Sequence, residues 1–314
     1  MAATLAAGAC LPERPAPSLP AEVGTYADGR APLGELYRAY ARLADAGWTL
    51  EVIADSKPPG TTRRLPIIAL RSPRAGPAVW ILSGVHGEEP AGPNAIAAAI
   101  DELAALGARR AVVLLPLLNP HGYARNWRYL NVAEYSEAID GSSVGDSSHL
   151  LPDPQAPAKA RATGPSSPEA DAVTRWILAQ SARYPPAVSI DLHEDNLIHE
   201  GYVYSQGGAG TADPLAIAAV AVLSAHGVPI KAGGRTRFDE PVEDGLIGPV
   251  TDSSIDELMS AATVIADGRA LPGPRAATVL VFETPAAALP LPQRVAAHAA
   301  LLVRLAARLA PSGD

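Results

Sequence analysis

Two apolar runs separated by one helical segment restrict the folds that this chain can adopt. The runs are AVWIL (residues 78–82) and AVVLLPLL (residues 111–118), and both are almost entirely apolar. Continuous apolar runs of this kind are typical of strands that are covered on both faces. The segment between them, residues 91–106, has the length and pattern of a helix. We therefore predict a strand-helix-strand unit and an α/β fold.

The same alternation of strands and helices extends along most of the chain. Residues 119–167 interrupt it with a long stretch rich in Pro, Ser and Gly, and loops of this length are usually functional or disordered. Since there is no internal repeat or clear linker, we predict a loose leader at 1–24 and a single domain at 25–314. Its central sheet should be mixed and mostly parallel, with flanking helices. Further helices are predicted at residues 33–47, 168–182, 213–226 and 292–309, and further strands at 49–54, 65–71, 187–192 and 277–283.

The overall composition indicates a globular protein that acts on small molecules or peptides. Of its 314 residues, 48% are hydrophobic, which is enough to bury a substantial core. The formal net charge is -8 and no Lys/Arg cluster stands out, so no nucleic-acid partner is expected. Cys10 is the single cysteine and cannot form an internal disulfide. No long apolar run predicts a membrane span, and no charged signal peptide begins the chain, so we expect a soluble, cytoplasmic protein.

Three predicted strands run directly into histidine or glutamate side chains. SGVHGEE follows the first apolar run, HED follows the strand at 187–192, and the last predicted strand ends within FETP. In open α/β sheets, ligands bind beyond the carboxyl ends of the strands. His86, Glu89, His193 and Glu283 are therefore candidate site residues.

These four side chains suit a catalytic zinc site. Such a site takes three protein ligands and leaves one position open to water. His86 and Glu89 are three residues apart, so a tight turn can direct both at one point, and His193 would complete a His/Glu/His set. A zinc ion lowers the pKa of its bound water and polarises a carbonyl group. We expect Glu283 to act beside the ion as a general base.

Other interpretations of these segments stay open at this point. HGEE could be an ordinary polar turn after a buried strand, and His121 or His199 could replace one of the ligands. GSSVG (residues 141–145) matches Gly-x-Ser-x-Gly, with Ser143 at its centre, as in serine hydrolases. A nucleophile elbow needs a strand before that serine and a helix after it, and neither flank has such a pattern.

Taken in order, the motifs resemble those of the zinc metallocarboxypeptidases, the family of carboxypeptidase A and the murein peptide amidases. The resemblance implies a single-domain carboxypeptidase-like fold. It also implies that His86 and Glu89 of HGEE bind zinc together with His193 of SIDLHE. The glutamate of VLVFETP, Glu283, matches the catalytic glutamate of the family.

The resemblance extends to residues that would contact the substrate. LLNPHGYARNWR is similar to an Asn-Pro-x-Gly segment of the family, which implies that Arg125 binds the substrate and polarises the scissile carbonyl. SVGDSSHLL is nearest to a Gly-Val-Asp-x-Asn-Arg motif, which implies that Asp146 supports a zinc-bound histidine. Ser148 and His149 stand where the family has Asn and Arg, and GLIGPV lacks a substrate-contacting tyrosine of the family. These departures replace the arginine with which the family binds the terminal carboxylate of its substrate.

Other cations could supply such an anchor. The glycine-led turn GGRTRFDE contains Arg235 and Arg237, and Arg128 lies near Arg125. We hypothesise that His149 or one of these arginines binds an anionic group of the substrate. The alternative is that they are solvated or paired with nearby acids.

Three functions fit these residues. The first is a hydrolase that uses one zinc ion to cleave an amide or peptide bond. The second keeps the fold but acts on N-acyl amino acids, like the related aspartoacylase and succinylglutamate desuccinylase group. The third is a zinc-bearing module that binds peptide ends without catalysis. Glu283 favours the first two, because metal binding alone does not require it.

Overall fold

A ten-stranded mixed sheet between two layers of helices forms the core of the molecule. The computed structural model describes residues 26–57, 62–136 and 141–309, so the leader predicted at 1–24 lies outside the described residues. Helices α1 to α8 are, in chain order, Leu33–Asp45, Ala91–Ala98, Ile100–Arg109, Pro120–Arg125, Pro168–Ser181, Pro214–Ala225, Ile255–Ser260 and Leu291–Leu309. Strands β1 to β14 are Thr49–Ser56, Leu65–Arg71, Ala78–Ser83, Ala111–Leu115, Pro152–Asp153, Ala156–Ala160, Pro186–Asp195, Tyr202–Ser205, Gly233–Arg235, Pro241–Glu243, Leu246–Ile247, Thr263–Ala266, Arg269–Pro272 and Thr278–Pro285.

The strand order is β1-β2-β4-β3-β7-β14-β8-β11-β10-β9. The four neighbouring strands β4, β3, β7 and β14 are parallel to one another. Strand β2 pairs with β4, and β8 pairs with β14, in antiparallel fashion. Two hairpins, β5–β6 and β12–β13, lie outside the main sheet. The predicted α/β architecture with a mixed central sheet is confirmed, and its parallel part lies at the centre.

Alternate residues of β3 face opposite layers of the core. Val79 and Ile81 belong to the cluster that contains residues of α1, α3 and α8, whereas Trp80 and Leu82 belong to the cluster with α5 and α7. All four are almost completely buried. This two-sided burial is the reason why the strand is an uninterrupted apolar run. Full burial of one such side chain stabilises the fold by about 1.5–3 kcal/mol.

Short polar side chains begin several of the helices. Asn119, Ser167, Asp213 and Ser254 are the N-caps of α4, α5, α6 and α7, and each accepts a hydrogen bond from a backbone N–H of its helix. Three of these helices then have Pro in their first turn. Both features fix the point at which a helix begins.

Most predicted elements are present, but the structure corrects two of them. The single helix predicted at 91–106 is two helices, α2 and α3, because the backbone of Ala99 leaves the helical conformation. No Gly or Pro lies close enough to Ala99 to signal this break. The stretch at 119–167 contains α4 and the β5–β6 hairpin. Among the described residues, no helix has the length and apolarity that a transmembrane segment requires.

Candidate metal centre

The carboxyl ends of three adjacent strands bring the predicted site residues together. In the register of β3, β7 and β14, Ser83 lies beside Leu192, and His193 lies beside Glu283. The loop that follows β3 carries His86 and Glu89. Residues that are far apart in the sequence therefore meet at one edge of the sheet.

His86, Glu89 and His193 converge on one point. Nδ1 of His86 lies 2.9 Å from Oε1 of Glu89, and Nδ1 of His193 lies 2.9 Å from Oε2 of the same carboxylate. The ligand atoms of the three residues are all within 4.8 Å of one another. Glu89 and His193 are buried, whereas His86 is half-buried. This arrangement could hold a divalent metal ion between two imidazole nitrogens and a carboxylate.

The surroundings of His86 favour the binding of such an ion. Its Nδ1 is buried without a hydrogen-bond partner, although Glu89 is only 2.9 Å away, because the angles do not suit an N–H···O bond. Burial and the nearby Arg128 guanidinium lower the pKa of His86 to about 4. The imidazole is therefore neutral at neutral pH, which is the form that binds metal. The residues present fit a divalent ion.

Four contacts hold Glu89 in place as a carboxylate. Burial opposes its ionisation, but His86 and His193 keep the pKa of Glu89 well below its usual range. Oε1 accepts a hydrogen bond of 2.8 Å from Arg128, and Oε2 accepts one of 3.1 Å from the backbone N–H of Glu194. These contacts fix the orientation of the candidate ligand.

Asp191 is a functional candidate that the sequence did not reveal. It lies two residues before His193 on β7, so both side chains point to the same side of the sheet. Its Oδ2 is 3.1 Å from Nε2 of His193, on the side of the ring opposite to Glu89. Asp256 of α7 also approaches this pair. The Asp-x-His spacing within a strand was the signal that could have indicated this contact.

We expect Asp191→Asn to weaken metal binding about 10- to 100-fold, because a carboxylate behind a ligand histidine fixes its orientation and raises its basicity. The resemblance in the sequence assigned such a supporting role, for an unspecified zinc-bound histidine, to Asp146. Metal affinities of the Asp191→Asn and Asp146→Asn proteins, measured by competition with a chelating dye, distinguish the two. A larger loss in the Asp146 variant would contradict the role of Asp191.

Glu283 lies beside the candidate ligand His193 in the register of β14 and β7. It lines the same cavity as His86 and His193. Its Oε2 is buried and has no hydrogen-bond partner. Burial, together with the negative charges of Glu89 and Asp195, raises the pKa of Glu283 well above its usual range. A carboxyl group in this setting can exchange a proton with a molecule in the cavity.

The structure places Arg128 in the cavity and Arg125 outside it. Nη1 of Arg128 donates to Glu88 at 3.0 Å and to Glu89 at 2.8 Å. The guanidinium of Arg125 lies over the ring of Trp127 at 4.9 Å, and this residue does not line the cavity. The two arginines diverge because Asn126, at the end of α4, adopts the left-handed conformation with a φ of 58°.

The Asn-Pro-x-Gly segment holds the backbone of Arg128. Asn119 caps α4 by accepting from Gly122 N–H at 2.8 Å, and its Nδ2 donates to the carbonyl of Arg128 at 3.3 Å. The N–H of Gly87 donates to the same carbonyl at 3.3 Å. A Cβ on Gly87 would lie 2.0 Å from the backbone carbon of Gly122, so this close approach requires glycine. The segment thereby joins the loop that carries His86 to the arginine.

Of the other predicted site residues, two line the cavity: Asp146, predicted to support a zinc-bound histidine, and Ser148, predicted to contact the substrate. Oδ1 of Asp146 accepts hydrogen bonds from the N–H and hydroxyl of Ser148. His149 is buried instead, with Nε2 3.5 Å from Asp171. Arg237 lies over the rings of Tyr135 and Phe238 and does not line the cavity.

The cavity in front of the candidate metal centre has a volume of about 800 Å³. Tyr129, Tyr204 and Phe238 contribute aromatic surface to it, and hydroxyl groups come from several serines and a threonine. A space of this size and polarity can admit a small peptide or a substituted amino acid.

Solved structures of metallopeptidases share this fold. A "putative metallopeptidase" from Shewanella amazonensis SB2B is 25% identical and superposes with a TM-score of 0.68 over 88% of this chain and 93% of its own. Carboxypeptidase A from Helicoverpa armigera is 15% identical, with a TM-score of 0.56 over 90% of this chain and 74% of its own. A metallo-carboxypeptidase from Burkholderia cenocepacia is 14% identical, with a TM-score of 0.53 over 87% of this chain and 67% of its own.

The protein has a carboxypeptidase-like fold. The resemblance found in the motifs is therefore confirmed at the level of the fold. No family model matches the sequence, and the comparison with curated proteins gives no match either. Low identity of this order is what a divergent member of the fold would show.

In this carboxypeptidase-like fold, a buried ion pair lies behind the candidate metal centre. Glu194 follows His193 on β7 and points to the opposite face of the sheet, where it contacts Arg294 of α8. Its Oε2 also accepts a hydrogen bond of 2.7 Å from the N–H of Ala91, at the start of α2. Both charged side chains are at most 8% exposed. The pair joins β7, α2 and α8 directly behind the candidate ligand.

We expect Arg294→Met to lower the free energy of unfolding by about 3–5 kcal/mol, since it leaves the Glu194 charge buried without its partner. Urea denaturation measures this change. The matched control is Arg42→Met, whose pair with Asp101 is exposed and should contribute at most about 1 kcal/mol. Equal effects of the two substitutions would contradict the structural importance of the buried pair.

Neither the remaining candidates from the sequence nor His226 belongs to the group of converging ligand atoms. His121 is buried and its Nε2 is 3.0 Å from the carbonyl of Ser56, whereas His199 is exposed. His226 ends α6 and its Nδ1 is 2.9 Å from the carbonyl of Val222. Ser143 lines the cavity but lies in a turn, without the strand and helix that flank a nucleophile elbow.

Proposed function

We propose that the protein is a zinc-dependent hydrolase that cleaves an amide or peptide bond. The supporting observation is that His86, Glu89 and His193 converge in the same cavity as Glu283. Two imidazoles and one carboxylate are a donor set that suits zinc. Catalytic zinc sites have three protein ligands and an open position, whereas structural sites are closed by four.

When bound, the ion would lower the pKa of a water molecule and polarise the carbonyl group of the substrate. Glu283 would accept the proton of that water and deliver it to the nitrogen of the leaving amine. Its Oε2 has no hydrogen-bond partner among the described residues and is therefore available to take up a proton and release it again.

Arg128 would stabilise the negative charge that develops on the carbonyl oxygen. Its Nη1 is used by Glu88 and Glu89, and its Nε donates to the hydroxyl of Tyr129 at 3.3 Å. The two N–H donors of Nη2 are left for the substrate, and the contacts to three partners hold the guanidinium rigid. Fixed donors of this kind stabilise an oxyanion more effectively than mobile ones. We therefore transfer to Arg128 the role that the sequence assigned to Arg125.

The substrate is either a peptide or an N-acyl amino acid. His149 lies outside the cavity, so it does not replace the arginine that would bind a terminal carboxylate. This supports an amide hydrolase whose recognition does not depend on that anchor, and it keeps an N-acyl amino acid deacylase as the second candidate.

The decisive assay exposes the zinc-loaded protein to peptides with a free carboxyl terminus, murein-type peptides and N-acyl amino acids in parallel. We expect hydrolysis of at least one class, its loss with a zinc chelator, and recovery when zinc is restored. A protein that binds one equivalent of zinc but cleaves none of the three classes would be a binding module, which contradicts the proposal.

A further inference from the structure

Arg30 is a buried arginine outside the candidate metal centre. It lies shortly before α1, and its side chain is only 1% exposed. Its Nη1 donates to the backbone carbonyls of Gly87 at 3.0 Å and Tyr123 at 2.9 Å. Its Nη2 donates to Oδ1 of Asn126, and its Nε donates to Oδ2 of Asp28 at 2.7 Å. One guanidinium therefore joins the segment before α1, the loop after β3 and the end of α4.

The loop that carries two candidate ligands packs directly against α4. The carbonyl that Arg30 contacts belongs to Gly87, which lies between His86 and Glu89 in the chain. A Cβ on Gly87 would lie 2.0 Å from the backbone carbon of Gly122, so the loop and the helix touch at this point. Nη1 reaches one carbonyl of the loop and one of the helix. Arg30 thus holds the loop against α4.

The same guanidinium holds the turn that leads to Arg128. Asn126 ends α4 in the left-handed conformation, and its side chain accepts from Nη2 of Arg30. The carbonyl of Arg128 accepts a hydrogen bond of 3.3 Å from the N–H of Gly87. Gly87 therefore bonds Arg30 through its carbonyl and the backbone of Arg128 through its N–H. The ligand loop and the proposed oxyanion donor are held by one connected set of contacts.

Aromatic rings and backbone hydrogen bonds fix Arg30 itself. Its guanidinium carbon lies 5.4 Å from the ring centre of Tyr26 and 4.9 Å from that of Tyr123, within the range of cation–π attraction. The N–H of Ala31 donates to Asn94 at 2.9 Å, and its carbonyl accepts from the Tyr123 hydroxyl at 2.7 Å. Because a guanidinium is a rigid planar fork, an arginine anchored in this way fixes the positions of its acceptors.

We propose that Arg30 is a positioning residue for the candidate metal centre. It holds the chain between His86 and Glu89 against α4, which keeps both ligands in their orientation. It also holds the turn before Arg128, which keeps that guanidinium aligned with the ligands. Arg30 does not line the cavity, so it acts through the backbone of Gly87 and not on the substrate. The proposal rests on the proposed function, from which the ligand set and the oxyanion donor are taken.

The zinc affinity of the Arg30→Lys protein, measured by competition with a chelating dye, tests this role. Lysine keeps the positive charge, but its ammonium group cannot reproduce the fork that bonds two carbonyls and two side chains. We expect the affinity to fall about tenfold, since groups that orient metal ligands contribute about 10- to 100-fold. At saturating zinc, kcat for whichever amide the protein cleaves should fall at least about tenfold while KM changes little.

Arg71→Lys is the matched control. Arg71 of β2 is 15% exposed and also uses its fork, but its partners Glu51 and Gln180 belong to β1 and α5. Both substitutions should lower the free energy of unfolding, whereas only Arg30→Lys should lower zinc affinity and kcat. If the two variants had equal zinc affinities and equal kcat values, the role of Arg30 would be merely structural and the proposal would be overturned.

Asn126→Gly provides a second test, should Arg30→Lys not fold. Glycine adopts the left-handed conformation without strain, so the turn is kept and only one acceptor of Arg30 is removed. Loss of one hydrogen bond should lower zinc affinity and kcat about threefold. Unchanged values would count against the positioning role.

The unaltered protein separates failure of this inference from failure of the proposed function. If it binds zinc and cleaves no amide, while Arg30→Lys still weakens zinc binding, the positioning role stands and the hydrolase function is refuted. If it hydrolyses an amide and Arg30→Lys matches its control in both zinc affinity and kcat, the hydrolase function stands and the positioning role is refuted.

Discussion

Glu283→Gln should reduce amide hydrolysis about 100- to 10,000-fold while leaving metal binding intact. Glutamine keeps the size of the side chain but cannot accept the proton of an attacking water. Because Glu283 is outside the set of converging ligand atoms, its replacement removes none of them. Steady-state kinetics and metal analysis of the same protein preparation measure both quantities.

The matched control for this substitution is Glu243→Gln, which makes the same change on an exposed residue of β10. It should retain full hydrolysis. If the Glu283 variant were as active as the control, Glu283 would not be the proton carrier, and another acid would have to be sought. If it lost its metal as well, its role would be structural.

His86→Ala should abolish both metal binding and hydrolysis. Of the three candidate ligands His86 is the least enclosed, and its Nδ1 makes no hydrogen bond, so its removal should disturb the fold least. Two remaining ligands cannot hold zinc with the affinity of three. Metal content should fall from one equivalent to traces, with an unchanged circular dichroism spectrum.

His226→Ala is the corresponding control, because that histidine lies at the end of α6 and contacts only its own helix through Nδ1. It should keep its metal and its activity. Retention of stoichiometric metal by the His86 variant would show that the ion binds elsewhere, and the ligand set would then be wrong.

The sequence was sufficient to predict that the candidate residues lie at one edge of the sheet, because strand ends can be recognised from local patterns. The apolar runs of β3 and β7 are buried on both faces, and the polar residues that follow them must emerge at the edge of the sheet. His86, Glu89, His193 and Glu283 were found in this way. Their convergence follows from the parallel order of three adjacent strands.

Contacts that depend on tertiary packing could not be predicted in the same manner. Arg125 and Arg128 are close in the sequence, but a left-handed turn at Asn126 lies between them, and contacts from Asn119 and Gly87 hold the backbone of Arg128. His149 occupies the position of an anchor arginine, but it packs against Thr174 of α5. No local sequence pattern predicts which helix a side chain will pack against.

The partner of His193 illustrates the same limit. The resemblance gave Asp146 as the support of a zinc-bound histidine without specifying which one, whereas Asp191 faces the His193 imidazole because strand geometry places alternate residues on one side.

The most direct test of the proposed catalytic centre is a titration of the metal-free protein with zinc, in which bound zinc and amide hydrolysis are followed together. We predict that activity rises in proportion to bound zinc and reaches its maximum at one equivalent per chain, and that the His86→Ala protein gains neither. Full activity without zinc, or one bound equivalent without any hydrolysis, would contradict the account.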